Sequence, residues 1–334
     1  MNIIVSQYNN IARIVSSYGP AGTNTGRLAS RKLFDQFGGN LQNKSDEERR
    51  LFIPRPGMRF GQNDLEGAEA VAVALYVPEG NFRDCIRRKV KIHNFVCIKL
   101  FPEKFSAFLT PQEADNLTPA VLHSRPDYKQ IVAHCKTLKT EYDLAKRTVH
   151  GSNYAMGWKT FIKTVLKETN GRVVLDAPQA KRMLASYFEL FPELKFFQTS
   201  ADEAVRNFTP LTNLLDWSIV IKARYTTALG RTAVAWRPQS TIGLLMLYAA
   251  VKFQDAIESE QHPWNLLTVT HDSGLVEAPA DEIVRAVDKL AECMTFELVS
   301  PLDGSKWIIG VEKSVGDNWG KYDEQENPKG LKVI

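Results

Sequence analysis

The sequence lacks paired cysteines, long apolar runs and a strong net charge. No C-x-x-C pair or zinc-finger spacing occurs among its four cysteines, which are Cys85, Cys97, Cys135 and Cys293. That usage is typical of reduced thiols in a cytosolic protein. No apolar run approaches the ~20 residues that a membrane helix needs, and the N-terminus does not resemble a signal peptide. We therefore expect a cytoplasmic protein with no membrane partner.

The charge balance excludes few classes of binding partner. There are 42 basic and 38 acidic residues, a net charge of +4, which neither requires nor excludes a polyanionic partner. The 334 residues are 44% hydrophobic, enough for a sizeable core and for two or more lobes. Strands come first, a long helical block follows, and a helix with hairpins ends the chain. This order predicts an α+β fold, an antiparallel sheet with a helical insertion.

Several segments give this pattern its detail. The stretch 265–279, NLLTVTHDSGLVEAP, reads as a hairpin broken at Ser-Gly. Helices are predicted over 140–157, with Thr140 as the cap, over 239–257 and over 281–294. A stretch containing proline and glutamate, 101–127, interrupts the helical block, and the polar tail 321–330 is expected to be loosely ordered.

Two aspartates are candidates for metal binding. Asp272 lies at the tip of the predicted hairpin, and Asp64 ends an earlier strand, just before DLEGAE. Ordinary turn chemistry explains Asp-Ser-Gly equally well. The functional interpretation requires both carboxylates to meet at adjacent strand ends, where they could share two divalent cations in phosphoryl transfer.

The helix EYDLAKRTVHGSNYAMG, 141–157, carries a cationic and aromatic stripe. Tyr142, Lys146, His150 and Tyr154 recur every four residues and so share one face. Arg147 and Gly151 lie beside the stripe, and Lys139 joins it if the helix begins early enough. Such a face suits a nucleoside triphosphate. A solvated amphipathic helix with two aromatic residues in the core is the alternative.

Read in order, the segments resemble the polymerase region of family A DNA polymerases, the bacterial polymerase I type, from about Thr25 to Trp319. The segments that carry the resemblance are TGRLAS with NLQN (primer loop), RRLFIPRPGMRFGQNDLEGAE (motif A), KIHN (fingers histidine), AKRTVHGSNYAMG (motif B), SYFELFPEL (the helix after it), RTAVAWRPQST (palm), THDSGLVEAP (motif C) and VGDNW near the C-terminus. Each is weak alone, and their order and spacing make the resemblance specific.

The resemblance implies template-directed DNA synthesis by a two-metal nucleotidyl transfer. Two Mg²⁺ ions would be held by Asp64 and Asp272, and Lys146 would donate a proton to the pyrophosphate. Glu69 would be the sugar gate, hydrogen-bonded to Tyr154. The incoming dNTP would be bound by Glu69, His93, Arg147, His150 and Tyr154, and the primer–template DNA by Arg27, Asn40, Gln42, Gln239 and His271.

The resemblance also implies a right-hand fold with an antiparallel-sheet palm, a helical fingers insertion and a largely absent thumb. Residues 1–79 and 213–334 would form the palm, and 80–212 the fingers. No exonuclease domain is recognisable. The chain is then either a divergent minimal enzyme, viral and acting in the host cytoplasm, or a fragment, or one half of a split polymerase. Its partners would include a separate thumb or exonuclease chain, or a processivity factor.

The sequence departs from the family pattern at several positions. Motif B usually carries an arginine four residues before its lysine, and this chain has Tyr142 there. Lys139 or Arg147 would have to replace that phosphate contact. Ser273 stands where motif C often has a glutamate, and Ala235 where the palm segment has an asparagine. His150 replaces an aromatic residue, and Ala155 follows Tyr154 in place of glycine. These changes affect nucleotide binding more than the two aspartates.

Two rival functions remain open on the sequence. One is a nucleic-acid-binding polymerase subunit whose active site has decayed, favoured by the motif B departures. The other is a relative of the single-subunit RNA polymerases. Glu69 argues against the second, because a bulky acid at the sugar gate would obstruct a ribose 2′-hydroxyl.

Overall fold

The fold combines a central antiparallel sheet with a large helical layer. The computed structural model describes residues 4–5, 12–20, 22–32 and 39–334. In those ranges the strands are β1 Ile4–Val5, β2 Ala12–Arg13, β3 Ser17–Gly19, β4 Ala29–Arg31, β5 Met58–Leu65, β6 Leu211–Thr212, β7 Ser218–Ile219, β8 Asn265–Val269, β9 Ser273–Pro279, β10 Glu297–Val299, β11 Lys306–Ile308, β12 Val311–Gly316 and β13 Lys332–Val333.

The helices occupy most of the chain between β5 and β8. They are α1 Asp46–Arg49, α2 Ala68–Leu75, α3 Asn81–Arg87, α4 Ile92–Leu100, α5 Pro111–Asp115, α6 Pro119–Ser124, α7 Tyr128–Thr137, α8 Lys139–Asn153, α9 Trp158–Glu168, α10 Ala177–Leu190, α11 Leu194–Arg206, α12 Thr227–Ser259 and α13 Ile283–Met294. A 3₁₀ turn covers Pro102–Phe105. The order confirms the α+β class predicted from the sequence.

The main sheet has five strands in the order β13-β12-β5-β9-β8, and its paired strands run antiparallel. The central strand, β5, contains Asp64. Its residue Gly61 lies against α13, where a side chain at that position would clash with Val287. The amide of Asn63 donates to the backbone carbonyl of Val287 at 2.9 Å. One face of the sheet is thus covered by α13, while Asp64 belongs to the opposite face.

The long helix α12 connects the sheet to the helical layer. In its first half, Ala233, Val234 and Trp236 belong to the core of that layer. In its second half, residues such as Ile242 and Phe253 belong to the core beneath the sheet, together with α2 and α13. The sequence predicted only 239–257 as helix. The helix is longer because Pro238 is accommodated inside it and Thr226 caps it, accepting a hydrogen bond from the N–H of Leu229.

Three further expectations need correction. Thr140 does not cap α8, because Leu138 alone joins α7 to α8 and the helix begins at Lys139. The stretch 101–127 is not merely an interruption. Its prolines start short helices, with Thr110 and Thr118 as caps.

The tail 321–330 is ordered rather than loose. Asn327 is buried and its amide donates to Asn318 and to the carbonyl of Lys321. The side chain of Asp323 accepts from the N–H groups of Gln325 and Glu326. Hydrogen bonds therefore fix a segment whose polar composition suggested disorder.

None of the helices in the described part of the chain combines the length and the apolar character needed to cross a membrane.

Candidate active site

The strand register brings three polar side chains into one row. In the antiparallel pairing, Asp64 on β5 lies opposite Ser273 on β9 and opposite Glu312 on β12. Directly opposed residues in an antiparallel pair share a face, with Cβ atoms about 4.5–5.5 Å apart. Asp64 and Glu312 are therefore neighbours on the face that α13 leaves uncovered.

Asp272 is held at the hairpin tip between β8 and β9. Its backbone carbonyl accepts a hydrogen bond from the N–H of Leu65 at 2.9 Å, which ties the tip to the end of β5. Within the turn, the N–H of Thr270 donates to the carbonyl of Ser273 at 2.8 Å, and the two side-chain hydroxyls are 2.5 Å apart. Ser273 thus serves the turn itself, and the backbone places Asp272 beside Asp64.

The charges at these carboxylates repel one another. The pKa of Asp64 is raised to about 7, mainly by burial and also by the charges of Asp272 and Glu312, against a lowering effect of Arg49. Burial also raises the pKa of Asp272, with Glu69 adding to the rise, while His271 and Arg27 lower it. Carboxyl groups that are costly to ionise together are the sort that gain most from a bound cation.

Two residues at this site were missed by the sequence analysis. Arg49 and Glu312 both line, with Asp64, a cavity of about 280 Å³. The guanidinium of Arg49 lies 4.8 Å from the ring centroid of Trp319, whose indole N–H donates to Gln62 on β5. Both residues fall inside or next to recognised segments, RRLFIP and VGDNW. The register of β5 with β12 brings Glu312 to Asp64, and Arg49 reaches the same cavity from the end of α1.

The described residues contain no group of three or more histidine, cysteine, aspartate or glutamate side chains that could enclose a metal ion. Mg²⁺ in proteins keeps several waters and is usually held by one or two carboxylates together with substrate phosphates. Asp64 and Asp272 are the residues that would hold such ions.

Glu69 connects the sheet side of the site to the helical layer. It lies in the first turn of α2, where one carboxylate oxygen accepts from Arg27 at 2.8 Å and the other from the hydroxyl of Tyr154 at 2.5 Å. Tyr154 directly follows α8. Its pKa is raised well above the ordinary value by burial and by Glu69, while Arg27 and Gln239 lower it. The hydrogen bond between Tyr154 and Glu69 that the resemblance implies is present.

Arg27 is positioned by a close approach of two backbones. Residues 22–32 run across α12, where Gly243 has no side chain and the backbone N of Arg27 lies 3.1 Å from the position a Cβ would take. Nearby, the indole N–H of Trp236 donates to the carbonyl of Asn24 at 2.8 Å. Arg27, one of the predicted DNA-binding residues, thus forms an ion pair with Glu69, one of the predicted nucleotide-binding residues.

The other predicted DNA-binding residues lie around the hairpin and α12. The amide of Gln42 donates to the carbonyls of Leu28 and Val269, so it fixes the primer-loop segment against the end of β8. The side chain of Asn40 accepts from the N–H of Gln42. Gln239 lies on α12 near Tyr154, and His271 is exposed beside Asp272.

The predicted triphosphate face lies where α4 packs along α8. The ring of His93, in the first turn of α4, makes an edge-to-face contact with Tyr142, with centroids 5.1 Å apart. Burial lowers the pKa of His93 to about 4, helped by the charges of Lys91, Lys146 and His150. Desolvation lowers the pKa of His150, whereas the negative charge of Glu69 raises it. The charge of Glu69 therefore acts on His150, one of the basic residues of this face.

Arg147 is directed to a different neighbour. Its guanidinium forms an ion pair with Glu168, the last residue of α9, at 2.6 Å. Lys146 is exposed and forms no ion pair among the described residues. Of the predicted nucleotide-binding residues, His93 and His150 are thus within range of the Lys146 charge. Glu69 acts on His150 and is hydrogen-bonded to Tyr154, while Arg147 is directed to Glu168.

Comparison with known proteins supports the sequence resemblance. The family model for DNA polymerase family A matches residues 130–321. The chain is 25% identical over 322 residues to DNA polymerase I of Chloroflexus aurantiacus, covering 92% of this chain and 29% of that protein. It is 24% identical over 181 residues to DNA polymerase theta of Caenorhabditis elegans, covering 53% of this chain and 10% of that protein.

A solved structure shows the same fold. It is the POL domain of Pol1 from M. smegmatis in complex with DNA primer-template and dNTP, with a TM-score of 0.66 and 16% sequence identity. The match covers 95% of this chain and 49% of that one. The chain spans less than half the length of each of these relatives.

Proposed function

Because this chain belongs to DNA polymerase family A, we propose that it extends a primer on a template strand by adding deoxynucleoside triphosphates. The observation that carries the proposal is the backbone tie between the Asp272 turn and the end of β5, which sets Asp272 beside Asp64. Residues 1–79 and 213–334 would act as the palm and 80–212 as the fingers.

The reaction would be attack of the primer 3′-hydroxyl on the α-phosphorus of the dNTP, with pyrophosphate leaving. Asp64 and Asp272 would hold two Mg²⁺ ions, which when bound make the hydroxyl more acidic and stabilise charge on the leaving group. The protein's own part is to position these carboxylates rigidly on strand ends.

The helical layer would bind the triphosphate and select the sugar. Lys146 and His93 would donate to the phosphates, and Lys146 would give a proton to the departing pyrophosphate. His150 and Tyr154 would lie against the nucleoside, with Arg147 on the flank. Glu69, held between Arg27 and Tyr154, would stand beside the sugar.

The duplex would be bound through its backbone near the primer end, by Arg27, Gln239 and His271 directly and by the segment containing Asn40 and Gln42. Contacts of this kind position nucleic acid without reading its sequence. A separate thumb or exonuclease chain, or a processivity factor, would be a further partner.

Primer extension with and without Mg²⁺ tests the proposal. Asp64→Asn and Asp272→Asn keep the shape of the side chain but remove the charge of a metal-binding carboxylate. Each variant should fail to extend a primer and should melt at no lower temperature than the parent. Asp255→Asn, on the exposed side of α12, is the matched control and should extend normally.

Extension by either active-site variant at the parent's rate would exclude the two-carboxylate mechanism. A parent that binds primer–template and dNTP but never extends would favour the decayed subunit, which Tyr142 and Ser273 make the second candidate. An RNA polymerase relative would instead prefer rNTPs over dNTPs.

A further inference from the structure

The triphosphate face has lost one cation relative to the family pattern. Tyr142 occupies the place of the motif B arginine, and its ring is packed edge-on against His93. A phenol carries no positive charge at neutral pH and has no guanidinium fork to offer a phosphate. Another cation is needed if the face is to bind a triphosphate as firmly.

The two substitutes suggested by the sequence are poorly placed. Arg147 is paired with Glu168 at 2.6 Å. Lys139 is the first residue of α8, seven residues before Lys146, which corresponds to about 10.5 Å along the helix axis. Neither is among the residues whose charge affects His93.

Lys91 is two residues before His93 in the chain. It is the residue immediately before α4, and its side chain is exposed and forms no ion pair among the described residues. After burial, its charge has the largest effect on His93, ahead of Lys146 and His150. Because α4 packs along α8, the charge of Lys91 acts on His93 from the start of α4 and that of Lys146 from α8.

This placement is unfavourable for the protein alone. The N-terminus of α4 carries the positive end of the helix dipole, where a cation is destabilising. The like charges of Lys91 and Lys146 oppose a further positive charge on His93, and so keep its ring neutral. An anion with several charged oxygens would remove both costs, and the first-turn N–H groups of α4 would point toward it.

We propose that Lys91 binds the triphosphate of the incoming nucleotide together with His93 and Lys146, and thereby supplies the positive charge that Tyr142 lacks. The inference rests on the proposed polymerase function. It adds a substrate-binding residue immediately before α4, in the segment KIHN, where the family resemblance points only to His93.

The test measures anion binding as well as activity. Binding of inorganic tripolyphosphate to the full chain would be followed by calorimetry at low salt, alongside dNTP KM and kcat in primer extension. Lys91→Ala should weaken tripolyphosphate binding and raise KM about 10-fold, with a smaller change in kcat. Lys129→Ala, an exposed lysine on α7, is the control and should change neither.

Two further variants separate substrate contact from a structural role. Without ligand, Lys91→Ala should melt at the same temperature as the parent or higher, because it relieves repulsion. Tyr142→Arg, combined with Lys91→Ala, should restore much of the lost tripolyphosphate affinity, because it returns the missing cation to α8.

The possible outcomes distinguish a failure of the Lys91 proposal from a failure of the polymerase function. If the parent extends primers and Lys91→Ala binds tripolyphosphate and dNTP like the parent, the role of Lys91 is overturned while the polymerase function stands. If the parent binds tripolyphosphate through Lys91 but extends no primer under any metal condition, the anion site stands and the polymerase function fails. A Lys91→Ala variant that melts lower and is not compensated by Tyr142→Arg would overturn the proposal in favour of a structural lysine.

Discussion

The hydroxyl of Tyr154 donates a hydrogen bond to a carboxylate oxygen of Glu69 at 2.5 Å, joining the end of α8 to the first turn of α2. The second oxygen of Glu69 is taken by Arg27. A carboxylate held from both sides has little rotational freedom, so it can act as a fixed steric wall beside a sugar.

Glu69→Ala should therefore raise the ratio of rNTP to dNTP incorporation by about 10-fold or more. Tyr154→Phe should raise it less, because Arg27 still holds the carboxylate. Single-nucleotide incorporation with matched rNTP and dNTP measures both. Glu66→Ala, two residues after Asp64 in the same connection, is the control. An unaltered ratio in Glu69→Ala would place sugar selection elsewhere.

The two aspartates could be located from the sequence for a physical reason. Asp64 is the penultimate residue of β5, shortly before a helix, and Asp272 lies in the tight turn between β8 and β9. Strand ends meet at the edge of a sheet, so local patterns and the family resemblance together predict Asp64 and Asp272 as the metal-binding pair, which stays a prediction. The hairpin of β8 and β9 and the buried face of α13 followed from the same periodicity.

Glu312 and Arg49 could not be found this way. Glu312 is brought to Asp64 by the register between β5 and β12, strands that lie far apart in the sequence, and Arg49 reaches the cavity from α1. No local pattern encodes that register. Similarly, the helical wheel placed Arg147 beside Lys146 but could not reveal Glu168 as its partner, and Leu138 left no room for the predicted Thr140 cap.

Glu312→Gln should shift the pH dependence of Mg²⁺ binding to lower pH. Glu312 is one of the charges that raise the pKa of Asp64. Removing it should let Asp64 lose its proton at lower pH, and a metal ligand must be deprotonated. Calorimetric titration of Mg²⁺ across pH 5.5–8.5 measures the shift. Glu324→Gln, in the exposed part of the tail, should leave the curve unchanged. A shift to higher pH would contradict the placement of Glu312.

Asp64→Asn should stabilise the metal-free protein, and increasingly so as the pH rises. The folded state holds the Asp64 proton up to a pKa of about 7, against an ordinary value of 3.8. Between these values the folded state binds more protons than the unfolded chain, so the free energy of unfolding of the parent falls with pH. The amide in the Asp64→Asn variant does not titrate, so the variant avoids this loss of stability as the pH rises.

The expected gain is about 1–2 kcal/mol at pH 8, because solvent screens a partly exposed carboxylate. It should be small at pH 4.5 and level off above pH 7. Chemical denaturation in the presence of a chelator measures it, with Asp255→Asn as the control. Excess Mg²⁺ should reverse the order, since only the parent retains both carboxylates. A variant that is less stable than the parent at pH 8 without metal would show that Asp64 is held by favourable contacts instead.

Lys146→Ala should damage nucleotide use more than Arg147→Ala. Lys146 is exposed on the face shared with His93, and removing its charge-assisted hydrogen bonds should cost about 1.5–3 kcal/mol, or about 10-fold or more in kcat/KM for dNTP. Arg147 is paired with Glu168, so Arg147→Ala should mainly loosen α8 from α9. That pair is only partly buried, so its loss should lower stability by less than about 1 kcal/mol.

Lys139→Ala completes the comparison. Lys139 lies one helical turn before Tyr142 and therefore farther from Lys146 than Tyr142 does. We expect Lys139→Ala to change the KM for dNTP by less than about 3-fold, against about 10-fold for Lys146→Ala. Steady-state incorporation and thermal unfolding of the three variants separate binding from stability. Should Arg147→Ala prove the most damaging for KM while Lys146→Ala is silent, α8 would present the other flank to the nucleotide, and the assignment of His93, Lys146 and His150 to the triphosphate would have to be abandoned together.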